Sequence, residues 1–327
     1  MIKEETLTEI KKITPKNLEL FDLIIIGAGP AGMNSALCAA RAKLKILIIE
    51  KSLPGGELST AAKIDNYIGF SNINGIHLSE IMEKHIFKYP ISYTCETVDD
   101  IEDQNSIKII KTDLGNRYKA KAVIIATGLE PKKLNEPFEK HFFGRGLSYC
   151  APCDAELYQG KTVAVLGGGN CACYAADLLS SYVEKIYLIH QSSNLKAVAS
   201  LKEKILNNPK ITPMWDSKVS EIFGINFVEK IKVVNLSNEQ YTWIDVKGVF
   251  VYIGRAPSKQ IFNLNLKTDE KGFIYTDEYM RTSVPGIYAA GDVRIKQIRQ
   301  IATAVSDGMI AAINAERDLA IRNNNIL

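Results

Sequence analysis

Residues 21–32 read FDLIIIGAGPAG and residues 162–172 read TVAVLGGGNCA. Each is a short apolar run that breaks into glycines and resumes as a helix-compatible stretch, to Ala42 in the first case and about Ser181 in the second. Each then closes with another apolar run, the first ending at Glu50 and the second at Ile189, just before His190. A shift of 140 residues lays one stretch on the other without a gap, with Gly27 on Gly167, Gly29 on Gly169, Gly32 on Ala172 and Glu50 on His190. The chain therefore carries two βαβ units in register, which makes it an α/β protein.

One G-x-G-x-x-G is weak evidence, but two in register, each after a strand and before a helix, are strong. The first Gly permits a tight turn, the second lets the backbone approach a pyrophosphate, and the third small residue lets helix and strand pack closely. The N–H groups at the helix start then face the anion. Gly27, Gly29, Pro30, Ala31 and Gly32 form the first such turn, and Glu50 is the acid that accepts the hydroxyls of an unphosphorylated adenosine ribose, as in FAD or NAD. Gly167, Gly169, Asn170 and Ala172 form the second. There the acid is replaced by His190, and Gln191 and Ser192 supply no cation for a 2′-phosphate. Lys196 is the nearest cation, and an isolated Lys is ordinarily just solvated.

Between and after the units, short apolar runs flank polar turns: Ile107 to Lys111 and Lys119 to Ile125 around 113–116, and Ile231 to Leu236 with Tyr241 to Val246. Ala122 to Gly128 and Gly248 to Gly254 resemble one another as apolar strands ending at Gly. The expected plan is a first domain of residues 1–128 and 255–327, interrupted by a second of residues 129–254.

Composition narrows the partners. The balance of 40 Lys plus Arg against 37 Asp plus Glu gives no basic patch or arm for nucleic acid. The charge-free run from Leu23 to Ala40 is long enough to suggest a membrane span, but Gly27, Gly29, Pro30 and Gly32 in its middle read better as strand, turn and helix start. Residues 1–20 mix lysines with glutamates and lack an apolar core, so neither a secretory leader nor a transit peptide is expected. Six cysteines in 327 residues point to a reducing compartment, and the expected location is the cytoplasm.

Cys150 and Cys153 bracket Ala151-Pro152 and are followed by Asp154. The two-residue spacing lets the sulfurs close or open a small ring, and a helix start lowers a thiol pKa. The neighbouring acid can exchange a proton with the other sulfur. Redox use is the preferred reading. Zinc held by this pair with Cys171 and Cys173 is the competitor, disfavoured because a Cys-x-Cys opening a tightly packed helix converges poorly on a tetrahedral ion. Cys38, Cys95, Cys171 and Cys173 are read as small buried fillers, and His77, His85 and His141 receive no role.

From Phe21 to Arg317 the chain resembles the low-molecular-weight thioredoxin reductases, FAD-dependent pyridine nucleotide-disulfide oxidoreductases. The matching motifs are GAGPAG with Glu50, Gly55-Gly56, Asp65-Asn66-Tyr67 with Gly69, Ala126-Thr127-Gly128, Cys150 to Asp154, GGGNCA, Gly254 before Pro257, and AAGDV from Ala289 to Val293, continued by Arg299-Gln300 and Thr303. The resemblance implies two Rossmann-like three-layer ββα domains, the second inserted in the first, in a homodimer whose domains rotate relative to each other. It implies FAD on Gly27 to Gly32 and Glu50, with Gly55, Gly56, Glu57, Asn66, Ala126, Thr127, Gly128, Gly291, Asp292, Arg299 and Gln300 around it. It makes Cys153 the thiol that faces the flavin, Cys150 the one that attacks a thioredoxin-like or other disulfide partner, and Asp154 the proton shuttle.

Three departures stand out. The family's His-Arg-Arg followed by a further Arg reads His190-Gln191-Ser192 with Lys196, which leaves the donor open among NADPH, ferredoxin and a second FAD in the second turn. Direction is open too, dithiol to flavin included. The family's Gly-Gly-Gln reads Gly55-Gly56-Glu57, and about 20 residues precede the first strand. A rival class is a non-catalytic flavin sensor whose dithiol reports redox state, and a second is a zinc-stabilised binding protein.

Overall fold

The computed structural model describes residues 16–61, 63–258 and 264–324. Residues 1–15, which make up most of the N-terminal extension and of the stretch read for a leader, lie outside the described residues, as do the last three. The chain divides into two compact units: one is formed up to Glu130 and again from Ala256, the other by Pro131–Arg255.

In chain order the first unit contributes β1 (Leu20–Ile26), α1 (Pro30–Arg41), β2 (Ile46–Glu50), α2 (Gly75–Ile86), β3 (Ser92–Cys95), β4 (Val98–Gln104), β5 (Ile107–Thr112) and β6 (Arg117–Ile125). The two-residue strand β7 (Glu130–Pro131) leads into α3 (Pro137–Phe142), β8 (Leu147–Ser148), α4 (Ala151–Asp154), β9 (Thr162–Leu166) and α5 (Asn170–Ser180). There follow β10 (Lys185–Ile189), α6 (Ala199–Leu206), β11 (Ile211–Met214), β12 (Ser217–Phe223), β13 (Lys230–Asn235), β14 (Tyr241–Asp245) and β15 (Gly248–Val251). β16 (Arg255–Ala256) pairs with β7, and β17 (Ile287–Ala289) and α7 (Ile301–Asn324) complete the chain.

The sheet of the first unit runs β3-β2-β1-β6-β5-β4, with β17 also on β6. β6 joins two kinds of sheet: Arg117–Ala120 pairs antiparallel with β5, and Val123–Ile125 pairs parallel with β17. Strand alternation decides the layers. Leu23 and Ile25 of β1 face a core with Ala36, Ala311 and Ala312 of α1 and α7, whereas Ile24 and Ile26 face Val98, Ile101, Ile110 and Tyr118 of the antiparallel strands. All four are 5% exposed or less, so each contributes roughly 1.5–3 kcal/mol of burial. α1 and α7 touch through small residues, and a Cβ at Gly308 would collide with the Ala31 carbonyl.

The second unit repeats the plan with a parallel sheet β11-β10-β9-β15-β8. Val163 and Val165 of β9 pack on Ala172, Ala176 and Leu179 of α5, while Ala164 and Leu166 pack on Ile222, Ile231 and Ile244 of the β12-β13-β14 meander. Each unit is thus helices, parallel sheet and antiparallel sheet in three layers, as the family resemblance implies. Among the described residues no helix is long and apolar enough to cross a membrane.

Candidate functional site

In the first unit the glycine turn lies where β1 ends and α1 begins. Gly27 has φ +103°, and a Cβ there would strike the Ala126 carbonyl; a Cβ at Gly32 would strike the Gly27 carbonyl. Gly29 differs: nothing lies within 4 Å of where its Cβ would be, so its backbone borders open space at the start of α1. The Gly55-Gly56 turn closes against it, with Gly55 N–H donating to Ala28 O at 2.8 Å and a Gly56 Cβ lying 3.3 Å from Gly29 Cα. This is a cradle that side chains would fill, and it fits the diphosphate of a dinucleotide.

Glu50, buried at the end of β2, already braces the turn: Oε2 accepts Ala28 N–H at 2.6 Å, and Oε1 accepts Ser52 N–H at 3.1 Å and Ser52 Oγ at 3.2 Å. Each oxygen has two lone pairs, so capacity for a ribose hydroxyl remains. The later motif residues meet one another in this unit. Asn66 Nδ2 donates to Gln300 Oε1 at 2.9 Å, Arg299 Nε donates to Asp292 O at 3.3 Å, and the Arg299 guanidinium lies 4.3 Å from the Phe273 ring centroid. Gly291 has φ +80° and abuts Ala31. Ala126-Thr127-Gly128 follow β6 beside Gly27, and Glu57 is exposed in the single turn after Gly55.

Sequence reasoning missed Asp307. This buried carboxylate accepts Gly291 N–H at 3.1 Å, Arg294 Nε and Nη2 at 2.8 and 2.9 Å, and Lys296 Nζ at 2.7 Å. Burial opposes its ionisation, and the bonds and charges of Arg294 and Lys296 outweigh that, holding its carboxyl below the usual range. No spacing signals it, because its partners lie 11 to 16 residues away across a turn.

In the second unit Gly167 has φ +130° and would strike the Tyr252 carbonyl with a Cβ, while Gly169, like Gly29, borders open space at the start of its helix. Lys196 N–H donates to Gly168 O at 2.7 Å, and Val198 N–H donates to Asn170 Oδ1 at 2.9 Å, which fixes the segment after β10 against the turn. The His190 ring lies against Gly168, its Nε2 buried without a hydrogen-bond partner among the described residues. Burial, then the Lys196 charge, pushes its pKa down, which favours the neutral ring. Gln191 and the Lys196 side chain are exposed.

Cys150 and Cys153 form a disulfide with Cα atoms 5.3 Å apart, Cys150 half-buried and Cys153 exposed. Two residues absent from the sequence reading hold this turn. Ser148 Oγ accepts Cys150 N–H at 3.0 Å and lies 2.6 Å from Asp154 Oδ2, and Tyr252 Oη accepts Ala151 N–H at 2.8 Å. The reading of the remaining cysteines as fillers holds for buried Cys173 and needs correction for two others. Cys95 is exposed because it ends the edge strand β3, and Cys171 because it lies on the face of α5 turned away from the Ala172 and Cys173 side. Among the described residues no three His, Cys, Asp or Glu side chains converge to hold a metal ion.

The family model described as pyridine nucleotide-disulphide oxidoreductase matches residues 21–308. The thioredoxin reductase of Bacillus subtilis is 40% identical over 296 residues, 90% of this chain and 93% of that protein. The crystal structure of Lactococcus lactis thioredoxin reductase in its FR conformation superposes with a TM-score of 0.88 at 36% identity, covering 92% of this chain and 99% of that one. A ferredoxin-flavin thioredoxin reductase from Clostridium acetobutylicum is similar at 31% identity and a TM-score of 0.52, covering 93% and 99%.

Proposed function

Because the chain belongs to the pyridine nucleotide-disulphide oxidoreductases, and among them to the thioredoxin reductases, we infer that it moves electron pairs between FAD, the Cys150–Cys153 disulfide and a thioredoxin-like or other disulfide protein. The observation that carries this reading is the closed Cys150–Cys153 pair with the Asp154 carboxylate one residue on, in a chain that also carries the open-backed glycine cradle. FAD, when bound, supplies a two-electron carrier. The Gly27–Gly32 turn, Glu50, the Gly55–Glu57 turn, Asn66, 126–128, Gly291, Asp292, Arg299 and Gln300 are the residues proposed to hold it.

For the reduced pair, Cys150 thiolate attacks the partner disulfide, forming a mixed disulfide and freeing one partner thiolate. Cys153 thiol gives its proton to Asp154 and attacks Cys150 sulfur. The ring re-forms and the second partner thiolate leaves, taking up a proton, so one dithiol is oxidised as one disulfide is reduced.

The donor stays open among NADPH, ferredoxin and a second FAD, and the grip on NADPH is proposed to be weakened. Gln191 and Ser192 offer no cations to a 2′-phosphate, each missing charge-assisted bond being worth about 1.5–3 kcal/mol. The likeness to a ferredoxin-flavin thioredoxin reductase favours a ferredoxin, and the retained glycines of the second turn favour a second FAD there. An anaerobic titration with NADPH and then with reduced ferredoxin, with flavin counted per chain, separates these. Stoichiometric bleaching at micromolar NADPH overturns the donor reading, two flavins per chain select the second FAD, and no turnover with any donor returns the sensor reading. A cytoplasmic homodimer belongs to the same proposal, its dimeric state tested by sedimentation equilibrium and its location by cell fractionation.

A further inference from the structure

We propose that Ser148 is the positioning residue that aims the Asp154 carboxylate at the dithiol, deepening the disulfide-exchange reading above. Ser148 sits on β8, in register with Phe250 of β15, and is 4% exposed, so a sheet and not a loop fixes its hydroxyl. That oxygen has three neighbours: Cys150 N at 3.0 Å, Asp154 Oδ2 at 2.6 Å and Cys150 O at 3.3 Å. A hydroxyl has one proton. The Cys150 amide must donate, so the hydroxyl accepts there and gives its own proton to the closer, charged acceptor, Asp154.

The result is a directional chain, from Cys150 N–H to Ser148 Oγ–H to Asp154 carboxylate, in which each bond polarises the next. It ties the backbone of one cysteine to the acid four residues on, with Cys153 between them in the chain. Because only Oδ2 is engaged by Ser148, Oδ1 is the oxygen left to receive the Cys153 proton in the resolving step. Without the serine, the carboxylate loses the constraint on its direction. The attack by Cys150 precedes that proton transfer, so loss of the serine reaches it only through the missing Cys150 N–H bond.

The test uses FAD-loaded protein with Cys95 and Cys171 replaced by Ser, reduced, freed of reductant and mixed anaerobically with an aromatic disulfide that releases a coloured thiolate. Attack by Cys150 releases one thiolate. Proton transfer to Asp154 and attack by Cys153 on Cys150 release the second and close the ring, so two phases of equal size are read before the reduced flavin, followed separately near 450 nm, re-opens the ring and repeats the cycle. Ser148→Ala is expected to slow the second phase by about tenfold or more and the first by clearly less, through the lost Cys150 N–H bond alone, and Ser148→Thr, which keeps the hydroxyl, is expected to recover most of the rate. Combined with Asp154→Asn, Ser148→Ala is expected to add nothing further, since both act through one proton acceptor. Equal slowing of both phases, an unchanged second phase, or full additivity with Asp154→Asn overturns the proposal. Absence of both phases in the unaltered dithiol overturns the disulfide-exchange reading instead.

Discussion

Asp307→Asn keeps the size of a buried side chain and removes its charge. Asp307 is 4% exposed, and its partners are scarcely wetter: the Lys296 side chain is 7% exposed and that of Arg294 18%. Without the carboxylate, two cations are left in a site with little water to solvate them. Breaking a buried pair in this way costs about 3–5 kcal/mol, and at about 2–4 °C per kcal/mol for a domain of this size the melting temperature of the first unit is expected to fall by roughly 6–20 °C. Circular dichroism and flavin release, followed together on the FAD-loaded protein, measure it. The pH dependence gives a second reading of the same charge. The folded carboxyl is held below its ordinary pKa of 3.8, so its stabilisation is present above that value and is lost as pH falls through the lower folded one. The gap between wild type and variant should therefore narrow below about pH 4. A fall under about 1 kcal/mol at neutral pH, or a gap that persists unchanged into acid, would refute the reasoning.

Gly27→Ala places a methyl against the Ala126 carbonyl at φ +103°, and is expected to give protein that purifies without FAD, checked by absorbance near 450 nm. Gln191→Arg with Ser192→Arg restores two cations at the end of β10 and should tighten NADPH over NADH by about 10²- to 10⁴-fold at about 1.5–3 kcal/mol per bond; equal affinities in a calorimetric titration would sink it. Alkylation of the oxidised protein at pH 8 should label Cys95 and Cys171 promptly and spare Cys173, whose thiol burial pushes up to about 11. Peptide mass spectrometry reads the order, and early labelling at Cys173 would contradict it.

The parts of this molecule that sequence makes legible are those where backbone geometry demands a residue type at a fixed spacing. Gly27 and Gly167 are needed for positive φ under a neighbouring carbonyl, and Gly29 and Gly169 for an open backbone face, so both turns announce themselves. The alternating apolar strands are equally plain, since Leu23 to Ile26 must satisfy a core on each side of the sheet. Ser148, Tyr252 and Asp307 are not legible, because a serine, a tyrosine or an aspartate is ordinary anywhere and their importance arises from partners that folding brings near. Tyr252 meets Ala151 across 101 residues. The exposed thiols were hidden for a related reason. In β3 and α5 the face a residue takes depends on which neighbour the element packs against, and Cys171 differs from Cys173 by about half a turn.

Tyr252 also limits how the second unit can be rebuilt. Its hydroxyl holds the Ala151 amide, its carbonyl roofs Gly167, and its own amide donates to Leu166 O at 2.8 Å. The dithiol segment and the second glycine turn therefore share one residue as a common fixture. A chimera that imports either segment from a relative without its counterpart of Tyr252 inherits a mismatch at the other, so the two are best exchanged as one cassette.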